Sequence, residues 1–446
     1  MNRKNKMLLW CVALFGAIAL VGCSDSDDAT TPGTPDDPNQ PAVVGGEMSL
    51  TTFSPNYGKY LQKVVFEGKG FTSPENMKVY FNQRPSAVIG VSADGTKFYA
   101  LAPRLPGEDC VISVVQGSDS LVYNEHFAYT VSTTVETIVG TGFAGNKMGS
   151  FAEAEVSPYY AVADQSGNLF VSNRNQGDNG GTNDHSLIRV DLNTSEVSMI
   201  HKGTIGNVPT CDQTTGVVSF PTETALGSFV ELNPLEMWAP RFRNYRWDQN
   251  KSLDGANEWK HCMVVNPVDG MVYCRHYYGH IVRINPKTLE SEYLYRTGTF
   301  NTYGMCFRKS EPNVLYFTDW EGHRIWKLDM NKPQEEWEHI QVTGGTGTAG
   351  HRDGDLDQSL FNNPAMLFQD SQDNLYIADC NNHCIRRITP ENQVETVLGI
   401  PGSAGWVDGV KENAKFNMPR GICIDKNDDI YVCDWKNARI RKLSIN

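Results

Sequence analysis

The sequence predicts an all-β protein, a small β-sandwich followed by a six-bladed β-propeller. Short runs of alternating apolar residues, separated by Gly, Pro and Asn turns, fill residues 47–131, the spacing of a small sandwich. A repeat of four-strand units then occupies 134–446, the pattern of blades arranged radially. Composition agrees: 40 Gly with 18 Tyr, 19 Phe and 9 Trp favours strands and tight turns over helical bundles. With 446 residues, 40% of them hydrophobic, the chain can bury several cores. A formal net charge of −13 offers no basic stripe for phosphates, so nucleic acid is not expected as a partner.

The N-terminal segment opens with Arg3, Lys4 and Lys6, followed by an apolar stretch over 7–20 that is short for a membrane span. It ends in Leu20-Val21-Gly22-Cys23, which resembles a bacterial lipobox. The resemblance implies a signal peptide over 1–22, acylation of Cys23 and outer-membrane lipid as a partner, held stably because two or more acyl chains are attached. Removing 1–22 takes away three positive charges and changes the formal charge from −13 to −16. Residues 23–46 carry Asp25, Asp27, Asp28, Asp36 and Asp37 among Ser, Thr and Pro, the composition of an extended tether. An acidic patch directly behind the lipid-bearing Cys resembles the surface-export signal of Gram-negative lipoproteins, which implies an outer-membrane location facing the exterior. Of the eleven cysteines, nine remain once Cys11 is removed and Cys23 acylated. An odd number excludes a complete disulfide framework. Most lie in strand-like runs and read as buried thiols, while Cys380 and Cys384 lack the second pair that a zinc site needs.

Within the sandwich, strands are expected at 63–66, 78–81, 111–115 and 127–129. The Phe53-Ser54-Pro55 turn with Gly58, the strand-and-glycine element with Gly68 and Gly70, and Val79-Tyr80-Phe81-Asn82 resemble the IPT/TIG family. That resemblance implies an immunoglobulin-like β-sandwich acting as a spacer or interaction module.

The last two repeat copies align at an offset of 55: Asp353-Gly354 with Asp408-Gly409, Phe361 and Pro364 with Phe416 and Pro419, Asp379 with Asp434, and Ile385-Arg386 with Ile440-Arg441. Looser copies centre on Asp319 with Arg324-Ile325, on 272–275 with Ile281, and on 169–173 with Ile188-Arg189. A further copy is placed on 235–241 with Tyr245-Arg246, making six. The pattern resembles NHL repeats. Residues 135–140 match 394–399, an outer strand, whereas the last copy ends without one. Residues 135–140 are therefore expected to close the ring and seal its two edges.

In such a propeller the lead-in loop of each blade and its second-to-third strand loop share one face. Asp319, Asp379 and Asp434 recur there and read as turn caps, with the following arginine in a blade-to-blade contact. Departures from the repeat are better site candidates. The second blade carries Trp238, Arg241, Arg243, Tyr245, Arg246 and Trp247, then Trp259. The third has Arg275, His276, Tyr277 and Tyr278, and Trp320 and Trp435 follow the loop Asp of the fourth and sixth. Aromatic rings suit the C–H faces of sugars, and Arg, Asn and Asp suit the hydroxyls. Trp238, Arg241, Tyr245, Trp247, Arg275, Tyr277, Tyr278, Trp320 and Trp435 are thus the expected ligand-binding set for a glycan, with no catalytic residue and no cofactor assigned. Lipoproteins of this layout resemble surface components of polysaccharide-uptake systems, implying transporter or enzyme components of the same system as partners. The alternatives are a protein-interaction scaffold and a metal-dependent lyase or hydrolase. The latter would use His280, His323 and His383, with His185, because such a ring of imidazoles resembles NHL-type amidating lyases. Asp353, Asp355 and Asp357 have calcium-loop spacing, but Gln358 and Pro364 stand where Gly and Glu are needed, so a solvated loop is expected.

Overall fold

A computed structural model of the chain describes residues 47–104, 106–175, 184–223, 228–245, 259–298, 300–345 and 347–445. The expected signal peptide, Cys23 and the tether to residue 46 lie outside the described residues, as do Arg246 and Trp247. The architecture is all-β, with an immunoglobulin-like sandwich followed by six radial sheets.

In the first unit, strand Arg84–Val91 pairs on one side with Met77–Phe81 and on the other with Lys97–Leu101, so it belongs to both layers of the sandwich. Period-2 alternation directs Phe53, Phe66, Phe81, Phe98 and Phe127 inward, all at most 3% exposed. Phe66 stacks on Phe98 at 4.6 Å and meets Phe81 edge-on at 6.3 Å, which fills the gap between the layers. All four expected strands are present, within Lys63–Lys69, Met77–Phe81, Asp109–Gln116 and Asp119–Tyr129.

Each propeller blade is an antiparallel sheet whose inner strands are Pro158–Ala163, Thr210–Cys211, Lys260–Val265, Met305–Phe307, Pro364–Gln369 and Pro419–Ile424. Inner and second strands are packed on both faces by neighbouring blades, so they read as continuous apolar runs rather than alternating ones. Pro158–Ala163 and Ile430–Asp434, for example, are buried throughout. Nine cysteines from Cys110 to Cys433 are buried free thiols, Cys380 and Cys384 among them.

Blade 2 corrects the expected register. Its second strand is Val218–Pro221, followed by Phe229–Leu232 and Pro240–Arg243. The motif placed on 235–241 is instead a turn between the third and fourth strands. Asn233 caps its 3-10 segment through Leu235 N at 2.9 Å, Met237 and Trp238 adopt positive φ, and Leu235 and Met237 are 91% and 86% exposed.

The closure is as expected from the repeat. Thr133–Val139 forms the outer strand against Arg439–Ile445, with Val135 opposite Leu443 and Val139 opposite Ile440. The repeat's ionic turns fix it further. Arg386 bonds Asp353 and Asp379 at 2.6 and 2.9 Å, and Arg441 bonds Asp408 and Asp434 at 2.5 and 2.9 Å, both guanidiniums fully buried. Asp353 also accepts from Thr396 N in blade 5, and Asp408 from Thr137 N in the closing strand. The aspartates cap turns, Asp379 accepting from Asn362 N and Asp434 from Asn417 N. Their arginines, however, clamp the lead-in segment of their own blade instead of bridging to the next. Asp353, although exposed like Asp355 and Asp357 in the solvated lead-in loop, is thus tied to Arg386 and Thr396.

The sandwich docks on blade 6. Arg104 pairs with Asp429 at 2.6 Å and also donates to the Asn427 carbonyl, and Lys442 pairs with Asp429 at 2.9 Å. Asn427 and Asp429 lie in the turn between the first and second strands, on the lower face, so the upper face points away from the sandwich.

Candidate functional site

The upper face centres on Arg420, the second residue of the inner strand Pro419–Ile424. Its guanidinium carbon lies 4.1 Å from the ring centre of Tyr159, 4.4 Å from Trp320, 5.0 Å from Tyr303 and 5.3 Å from Trp435. These rings come from blades 1, 4 and 6. Blades 1 and 4 are diametrically opposite in a ring of six, so rings from both meet one cation only at the axis. Tyr160 of blade 1 and Tyr303 before the inner strand of blade 4 stack at 6.1 Å, and Tyr160 Oη accepts from Arg420 Nη2 at 3.0 Å. Burial pushes the Tyr160 phenol well above its usual range, so it stays neutral.

This cluster plugs the top of the channel. Below it, a cavity of about 440 Å³ is lined by Val162, Met263, Phe307, Phe368 and Ile424 and opens downward between the first-to-second strand turns. Above it, rings continue outward from buried His261 through half-buried Tyr277 and Tyr278 to exposed Trp259. His261 lies 5.3 Å from Tyr303 and 5.4 Å from Tyr277, which meets Trp259 at 5.5 Å and Tyr278 at 5.2 Å. An aromatic band thus crosses the face from blade 6 to blade 3. At its edge Arg174 packs 4.8 Å over Tyr159, bonds Asn207 at 2.7 Å and pairs with Glu223 at 3.4 Å.

The structure separates the expected site residues. Trp320, Trp435, Tyr277 and Tyr278 stand together on the upper face. Arg275 is at the same end but fully buried, its guanidinium donating to Thr297 Oγ1 and to the carbonyls of Gly298 and Phe300. It holds the loop that follows the fourth strand of its blade. Tyr245 is also buried, its hydroxyl 2.6 Å from His276 Nε2. Trp238 and Arg241 belong to the opposite end of blade 2, which follows from the corrected register. Trp238 packs on Phe170 and under Arg189, and exposed Arg241 pairs with Glu236. Trp247 lies outside the described residues.

The histidines of the metal alternative are turn fasteners. His323 Nδ1 accepts from Asn363 N at 3.0 Å and His383 Nδ1 from Met418 N at 3.1 Å, each joining a blade to the lead-in of the next. Both sit at positive φ in their turns. His280 is buried, 5.9 Å from the Tyr293 ring. Among the described residues, no three His, Cys, Asp or Glu side chains lie together as metal ligands would.

Sequence reasoning missed Arg420, Tyr159, Tyr160, Tyr303 and His261. For Arg420 the signal was present: at the offset of 55, blade 5 has Ala365. The others precede or begin inner strands, where an aromatic residue reads as core.

Burial is the main cause holding seven histidines below their usual range, and it pushes His261 down to about 3, helped by the nearby Arg275 and Arg174 charges. A depressed histidine contributes stability that is complete above 6.5 and is lost as pH falls toward the folded value. For His261 the slope is about 1.4 kcal/mol per pH unit over that window. Urea unfolding at pH 7, 6 and 5 is expected to show falling stability, with a shallower fall in His261→Phe. An unchanged slope in that variant would contradict the buried neutral ring.

Comparison with known proteins agrees with this division of the chain. Residues 48–129 match the IPT/TIG domain and residues 416–443 the NHL repeat. NHL repeat-containing protein 2 of Gallus gallus is 40% identical over 176 residues, 36% of this chain and 23% of that protein. NHL repeat-containing protein 3 of Mus musculus is 27% identical over 212 residues, 45% of this chain and 56% of that protein. The chain therefore spans at most little more than half the length of these relatives. Solved structures match across both units. A protein of unknown function from Bacteroides thetaiotaomicron superposes with a TM-score of 0.74 at 23% identity, over 92% of this chain and 99% of that one. An auxiliary nutrient binding protein from Bacteroides ovatus gives 0.61 at 20% identity, over 93% and 100%. Another from Bacteroides thetaiotaomicron gives 0.59 at 21% identity, over 92% and 99%. At these identities the likeness is one of fold.

Proposed function

We propose that this chain is a nutrient-binding protein whose ligand is a glycan taken on the upper face of the propeller. The observation that carries the reading is the band of rings from Trp435 through Tyr159, Tyr303 and Trp320 to Tyr277 and Tyr278, wide enough for several sugar residues. The half-buried rings Trp435, Trp320, Tyr303, Tyr277 and Tyr278 offer apolar faces to sugar C–H groups, while the partly exposed Glu223, held by Arg174 and Asn207, lies at the edge to meet hydroxyls. The nutrient-binding role of the two Bacteroides neighbours supports it. In this reading Cys23 anchors the protein in the outer membrane facing outward. Docking of the sandwich on the lower face leaves the site open to passing polysaccharide and to transporter or enzyme components of the same uptake system.

Affinity electrophoresis against a polysaccharide panel tests the proposal. At least one polysaccharide is expected to retard the protein, Trp320→Ala or Trp435→Ala to weaken retardation about tenfold, and the double variant to abolish it. Arg241→Ala, on the other end of blade 2, is expected to change nothing. Retardation that survives the double variant would move the site elsewhere, and no retardation by any polysaccharide would end the glycan reading.

A further inference from the structure

We infer that the ligand of the upper face carries a carboxylate, so that the glycan is an acidic, uronate-bearing one. This rests on the glycan reading above and concerns what Arg420 meets. The other buried arginines have their charge or donors answered within the fold. Arg386 and Arg441 each hold two aspartates, Arg174 has Glu223, and Arg275 is surrounded by carbonyls.

Arg420 differs. It is 5% exposed, its cage is made of phenol and indole rings, and no carboxylate among the described residues pairs with it. Its Nε–H is buried without a hydrogen-bond partner, as are those of Arg174 against the same Tyr159 ring and of buried Arg308, but those two have Glu223 and Glu311 as counter-charges and Arg420 has none among the described residues. Cation–π contacts offset part of the desolvation of a guanidinium without satisfying its N–H donors, and among the described residues this one makes the single hydrogen bond from Nη2 to Tyr160 Oη. In a chain of formal charge −13, acids are abundant, yet none among the described residues pairs with this cation. A planar, permanently charged fork at the centre of a ligand platform matches the geometry and sign of a carboxylate.

Binding of uronate polysaccharides (polygalacturonate, alginate, glucuronoxylan and hyaluronan) is measured beside their carboxyl-reduced, neutral counterparts by affinity electrophoresis and calorimetry. At least one acidic form is expected to bind about tenfold or more tightly than its reduced counterpart, the size of a charge-assisted hydrogen bond. That preference is expected to shrink with added salt. Arg420→Met is expected to erase it while Arg420→Lys keeps part, with thermal melts confirming that both variants fold. Wild-type protein that binds neutral glycans as well as acidic ones, or better, overturns the acidic ligand and leaves the glycan reading standing. Failure to bind glycans of either kind overturns both.

Discussion

Replacing Arg441 with Met is expected to cost the propeller about 3–5 kcal/mol, the usual penalty for removing one member of a buried ion pair. Arg441 and Asp434 are both fully buried, and Arg441 also binds Asp408 and the carbonyls of Lys415 and Val407. Without it, the Asp434 carboxylate keeps the Asn417 N–H and Asn437 amide but loses its counter-charge. Burial already pushes this carboxyl up to about 6, with the Asn437, Asn417 and Arg441 bonds only partly opposing the shift. A carboxyl raised in the fold gains stability from protonation, and that gain is lost as pH rises through the folded value. The deficit of Arg441→Met is therefore expected to be larger at pH 8 than at pH 5. Adding Asp434→Asn should recover part of it at pH 8. Urea denaturation of the three proteins measures this, and a loss under about 1 kcal/mol would show that the clamp is not a stabilising element.

Val139→Asp is expected to be equally damaging through a different element. Val139 is fully buried opposite Ile440 in the closing strand and packs in the core that joins blades 1 and 6. A carboxylate there has no partner, and burying an unpaired charge costs about 4 kcal/mol or more. Glu136→Ala, on the exposed side of the same strand, should fall within about 0.5 kcal/mol of the parent. Calorimetric melting of both variants tests whether the ring depends on its closure. A Val139→Asp melt matching that of Glu136→Ala would show that it does not.

The parts of the fold that could be read in the sequence are those with a mechanism tied to fixed spacing. The Asp–Arg clamps recur at an offset of 55 because each blade needs the same turn, and 135–140 is recognisable because Thr137 and Thr396 answer the same aspartate position. Blade 2 was misplaced because it lacks these groups. Its second strand, Val218–Pro221, has only four residues, while the exposed turn after Asn233 imitates a strand in composition. That error carried into the site. Shifting the register by one element moves residues from one face of a propeller to the other, which is how Trp238 and Arg241 were grouped with Trp320 and Trp435. Arg420 is a different case: it is the kind of departure from the repeat that marks a site, but an arginine next to a strand-leading proline reads equally well as a surface residue until the ring brings five aromatic side chains to it.

Only three residues separate the last sandwich strand, Asp119–Tyr129, from the closing strand, Thr133–Val139. Any tension along the chain from its N-terminal side therefore reaches the propeller first at the one place where the ring is joined non-covalently. The Arg104–Asp429 pair runs from the sandwich to the same blade and carries load in parallel with the seven-residue ladder. Under a sustained pull, blade 6 is the mechanical fuse of the molecule, and Arg420, at the centre of the aromatic cluster, sits on its inner strand.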